Sequence, residues 1–124
     1  MISLTLPWPD PGLSPNARIH WRARAVLKRK ARADSRLHTL AALGRHRPDL
    51  GDGPIRLSVS FHPKDRRRRD LDNALASLKH HFDGIADALG VDDSRFTLAA
   101  EMGAPNGVGD VFVQIYAEPG EGAE

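Results

Sequence analysis

Apolar and polar residues alternate through "ISLTLPW", with Ile2, Leu4 and Leu6 on one side and Ser3 and Thr5 on the other. A period of two predicts a strand with one buried face. "IRLSVSFHP" repeats the pattern more sharply through Ile55, Leu57, Val59 and Phe61, and Pro63 ends it. Between them, from about Arg22 to Leu43, the chain has neither Gly nor Pro and is rich in Ala, Leu, Lys and Arg, which predicts a helix. Val26, Leu27, Leu37, Leu40, Ala41 and Leu43 form its patchy apolar stripe, and Gly44 is its stop. A second helix is predicted from about Asn73 to Leu89, capped by Asp72 and closed by Gly90, with Gly84 an interruption. "FTLAAEM" and "DVFVQIYAE" read as strands joined by a hairpin-type loop, "GAPNGVG". Residues 119–124, "PGEGAE", read as a frayed tail. The order β-α-β-α-β-β predicts one α+β domain over residues 1–124, with a mixed or antiparallel sheet and two main helices.

The chain's 124 residues suit a single modest core. A domain of this size buries only about two-thirds of its unfolded surface, so a second copy would help it. The absence of cysteine removes disulfides and thiolate metal sites. "MISLTLPWPDPG" lacks the basic and apolar regions of a signal peptide, and no run approaches the roughly 20 apolar residues of a membrane span. The expectation is a cytoplasmic protein with no membrane partner. Charge changes the picture more. Residues 1–69 carry 16 Lys and Arg against 5 acids, whereas residues 70–124 carry 2 against 11. Such asymmetry points to nucleic acid: the basic half attracts phosphate, and the acidic half repels it unless a cation intervenes.

The two charges meet in "KDRRRRDLDNALASLKHHFDGIADALGVDD", residues 64–93. Asp70 and Asp72 stand at a helix entrance. At 3.6 residues per turn, Lys79 and Asp83 each fall within roughly 20° of Asp72 around the axis. Asp92 and Asp93 join them only if tertiary structure folds the turn back. Hard cations such as Mg²⁺ take carboxylate, water and phosphate oxygens, and clustered carboxylates without a cation repel. Lys79 could balance charge or meet a transition-state phosphate. Plainer readings stand beside these: Asp72 as a cap, Lys79 and Asp83 as a surface pair four residues apart, Asp92 and Asp93 as turn residues.

"RRRRDLDN", the "K-x-x-F-D-G-I" of Lys79 to Ile85, the pair Asp92–Asp93 and the opening "LPWPDPGLSPN" together resemble the RusA family of Holliday junction resolvases, from Leu4 to about Phe96. The resemblance implies a small α+β homodimer with a RusA-like fold. It implies a Mg²⁺-dependent endonuclease, with Mn²⁺ as a substitute and no organic cofactor, that nicks four-way DNA junctions symmetrically in recombination and repair, often in a phage or prophage setting. By that resemblance Asp70, Asp72 and Asp93 are the essential acids, with Asp92 a fourth, so that Asp70, Asp72, Asp92 and Asp93 would hold the metal. Lys79 matches the family's helix lysine, displaced by about three residues in "ALASL", nearly one turn.

Arg66, Arg67, Arg68 and Arg69 are candidate phosphate ligands. Asn16, Arg22, Lys28 and Lys30 extend that candidate surface along the first loop and helix, with a solvated helix face as the alternative. Trp21 could stack on a base or anchor its loop in the core, and the anchor is the expectation. Adjacent His80 and His81 point in different directions around a helix and read as structural or surface residues, while His62 has no assigned role. Two rival functions share these features: a non-catalytic branched-DNA-binding module, and a nuclease acting on other branched DNA.

Overall fold

The structure is a computed structural model and describes residues 1–117; the predicted frayed tail lies outside them. Four strands, β1 (Ile2–Pro7), β2 (Ile55–His62), β3 (Phe96–Met102) and β4 (Asp110–Ala117), form a mixed sheet in the order β1-β4-β2-β3. The helices are α1 (Trp21–Leu43), α2 (Leu71–Ala76) and α3 (Lys79–Leu89). The α+β class and the mixed sheet agree with the sequence reading. None of the helices is long and apolar enough to cross a membrane.

The period-two residues face inward as expected. Ile2, Leu4 and Leu6 of β1, Ile55, Leu57, Val59 and Phe61 of β2, and Val111, Val113 and Ile115 of β4 make one core with Leu78, Phe82 and Ile85 from the helical side. The loop over residues 103–109 is not a hairpin, contrary to expectation. β4 pairs antiparallel with β1 and β2, whereas β3 lies parallel to β2 on its other side. Local alternation sets which face of a strand is buried but says nothing about its neighbour.

A parallel neighbour demands a crossover, and α2 with α3 supply it. This second helical region is two helices rather than the one expected: the chain breaks at Ser77 and Leu78, and Leu78 adopts φ −93°, ψ 0°. Asp70, not Asp72, caps the first of them, its Oδ1 accepting from the Asp72 N–H at 2.9 Å and the Asn73 N–H at 3.4 Å. Asp72 lies in the first turn. Gly90 closes α3 in the left-handed region at φ 70°, as Gly does at low cost.

On α1 the buried positions are Ala31, Ser35, Thr39 and Leu43, while Val26 and Leu37 of the predicted stripe are exposed. The four-residue spacing of mostly small side chains lets α1 lie close on α3. Gly84 is the reason: a Cβ there would collide with Ser35 Oγ and the Arg32 carbonyl. What reads as a helix-weakening residue is a packing requirement.

Candidate nucleic-acid interface and acidic site

β2 delivers the chain into the arginine run, and two residues shape the start of the site. Trp8, just past β1, meets the Phe61 ring edge-on at 5.7 Å, and the Arg69 guanidinium lies 5.5 Å from the Trp8 ring centroid. Arg69 also donates to Asp65 Oδ1 at 2.9 Å, to the Asp65 carbonyl at 3.0 Å and to the Arg67 carbonyl at 2.8 Å. The Arg67 backbone N–H and then Arg69 hold the Asp65 carboxyl below its ordinary range. Arg69 is therefore a brace for its own loop. Arg66, Arg67 and Arg68 are exposed, and only Arg67 has an acidic neighbour within ion-pair reach among the described residues, Asp65 at 3.5 Å. Asp70 and Asp72 follow directly and are exposed as well.

The second acidic group is built from α3 and the turn after it. Asp83, Asp87, Asp92 and Asp93 border one shallow depression together with Arg32 of α1. Arg32 grips Asp87 through Nε at 2.7 Å and a terminal nitrogen at 2.8 Å, a bidentate fork that holds the Asp87 carboxyl low and raises Arg32 further. Asp93 has its carboxyl raised, first by a hydrogen bond shared with Asp83 and then by burial and the charges of Asp83 and Asp92. Asp92 instead accepts from the Ser94 N–H at 2.8 Å, which lowers it.

The structure does not bring the two acidic groups together within one chain. Arg95, next to Asp93 and Asp92, donates to the Gly53 and Leu50 carbonyls, both at 2.9 Å, at the start of β2. Asp70 shares a surface depression with Trp8 and Arg69, at the end of β2. Eight residues of strand separate these ends, roughly 23 Å. A crossover to a parallel strand must return the chain to the starting end, so Asp70 and Asp93 are held apart by topology. Asp72 and Asp83 are also apart, by about 16 Å along an ideal helix axis even before the break; sharing a face is not sharing a ligand. Among the described residues no three His, Asp or Glu side chains converge at metal-binding spacing.

The remaining candidates divide clearly. Lys79 is exposed at the start of α3. Lys28 and Arg22 are exposed on α1, and Asn16 is exposed in the loop before it. Lys30 is paired with Asp34. Trp21 is not a core anchor: it is the first residue of α1, and 68% of its surface is exposed. His80 sits 3.3 Å from Asp83 and is lowered mainly by burial. His81 is buried beside a groove of about 450 Å³ that Trp8 and Leu27 also line, and burial pushes its imidazole down to about 4. Sequence reasoning missed Asp65, Trp8 and the pairing of Arg32 with Asp87. Arg32 and Asp87 lie 55 residues apart, so no local pattern pairs them; the Asp65–Arg69 spacing of four was the one available signal.

No family model matches the chain. The chain is similar to an uncharacterized protein of Xylella fastidiosa (strain Temecula1 / ATCC 700964), with 47% identity over 98 residues covering 77% of this chain and 63% of that protein. It thus spans less than two-thirds of that relative's length.

Proposed function

We propose that this protein is a metal-dependent endonuclease for branched DNA, with the four-way junction as its substrate and a homodimer as its working form. The observation that carries the reading is the adjacency of Arg66, Arg67 and Arg68, all exposed, to the exposed pair Asp70 and Asp72. The guanidiniums bind backbone phosphates. The aspartates beside them present hard oxygen ligands where a duplex phosphate would lie. Asp70 and Asp72 would hold a Mg²⁺, which would supply charge neutralisation and an activated water for in-line displacement, leaving 5′-phosphate and 3′-hydroxyl ends. Lys79 meets charge that builds on the phosphate. Asp92 and Asp93 are too far away in the same chain, and in the proposed dimer they would serve the partner copy's site across a two-fold axis. Two such sites on a two-fold dimer match a junction that is itself roughly two-fold.

The test compares labelled four-way junction and linear duplex with and without Mg²⁺. Paired symmetric nicks in the junction alone, only with metal, support the proposal. Junction binding without cutting in Mg²⁺ or Mn²⁺ overturns it and leaves the non-catalytic binding module. Equal cutting of flaps and other branches would make four-way junctions one substrate among several.

A further inference from the structure

Trp21 is the first residue of α1 and is 68% exposed, more than any other described aromatic residue among the large exposed hydrophobic groups. Its ring stacks on His20, centroids 5.6 Å apart with planes 28° from parallel, and the Arg22 guanidinium lies 5.2 Å from its centroid. The platform is held in place. His20 caps α1 by accepting from the Arg22 N–H at 3.1 Å. Arg24 ties the preceding loop down through the Ala17 carbonyl at 2.7 Å and the Ser14 carbonyl at 3.3 Å. Ser14 borders the same depression as Asp70, so the platform stands at the Asp70 end of the sheet. From residue 11 to residue 33 the chain has many Lys and Arg and not one acid.

An exposed aromatic ring within a basic segment is the kind of surface on which nucleobases stack. The charge around it points the same way. A segment rich in cations and with no acid of its own repels the same segment of another copy and attracts a polyanion. Among polyanions, only one with planar π-faces gains from an exposed indole that has an imidazole and a guanidinium beside it. A base inside an intact duplex has both faces occupied, whereas a base at a branch point exposes one.

We infer that Trp21 is a stacking platform for a nucleobase left unpaired or unstacked at a DNA branch point, held there by Arg22 and its basic neighbours. This rests on the branched-DNA reading and adds what distinguishes a branch from plain duplex. The cationic residues contribute equally to any DNA, whereas the indole contributes only where a base face is open.

The test titrates the full chain with a four-way junction carrying 2-aminopurine at the branch point and with a linear duplex of the same sequence, using wild type, Trp21→Ala and Trp21→Phe. Stacking is worth roughly 5- to 150-fold in affinity. Junction affinity should fall by that factor in Trp21→Ala, recover in large part in Trp21→Phe, and leave duplex affinity unchanged. The branch-point fluorescence should change on binding to wild type and not to Trp21→Ala. Equal losses on both DNAs, or none, overturn the inference. So does a drop in oligomeric mass of Trp21→Ala in sizing with light scattering, since the indole is then a subunit contact. If wild type binds neither DNA, the proposed function fails instead.

Discussion

Gly84 of α3 faces Ser35 of α1 with no room for a methyl group between the Gly84 backbone and the Ser35 hydroxyl. The Arg32 carbonyl closes the same contact, and the Arg32 side chain continues it to Asp87. The helix pair that frames the second acidic group is therefore set by the smallest side chain in it. Gly84→Ala should destabilise the fold by about 1–3 kcal/mol despite alanine's better helix propensity. Urea unfolding followed by circular dichroism reads this directly; an unchanged or raised midpoint would show that α1 yields freely.

His81 gives the fold a pH dependence of its own. Its imidazole is held down to about 4 by burial, below the ordinary 6.5. The unfolded chain therefore takes up a proton at a pH where the folded chain does not, and stability falls as pH drops from about 6.5 towards 4. The full loss is about 3 kcal/mol. His81→Leu should remove most of the slope in that window, while the acid loss from Asp65, Asp87 and Asp92, whose carboxyls are lowered, remains at lower pH. Urea midpoints at pH 4.5 and 7 for both proteins decide it.

The arginine run should split under mutation. Replacing Arg66 or Arg68 by Gln should weaken DNA binding without regard to sequence. Each phosphate no longer neutralised should flatten the slope of log affinity against log salt by about 1. Arg69→Gln should instead lower thermal stability, because its guanidinium braces Asp65 and covers Trp8. Salt titrations and melting curves on the same three variants separate the two jobs.

Asp70→Asn keeps an oxygen able to cap α2, since Asn caps as well as Asp. Cutting should fall by more than the roughly 10–100-fold that follows removal of a metal's outer-shell partner, with melting temperature nearly unchanged. Junction binding should hold or tighten, because a negative charge beside the phosphate is gone. Survival of full cutting would remove Asp70 from the chemistry.

The separation of Asp70 from Asp93 leads to a complementation experiment. Asp70→Asn and Asp93→Asn homodimers should each be inactive. In a mixed dimer one composite site carries both substitutions and the other carries neither, so mixing should restore single nicks in the junction but not paired ones. A mixture as inactive as its parents would place all the working acids in one chain.

The sequence by itself determined the strands' buried faces, the helix stops at Gly44 and Gly90, the α+β class and the juxtaposition of basic run and acids. These are local matters: a period of two, a glycine with positive φ, a charge next to a charge. Only tertiary structure decided that β4 inserts between β1 and β2, that Gly84 meets Ser35, that Arg32 holds Asp87, and that Trp21 stands in solvent. It alone decided that Asp70 and Asp93 lie at opposite ends of β2, because the direction of β3 determines where the crossover must finish, and no residue in the crossover states which strand comes next.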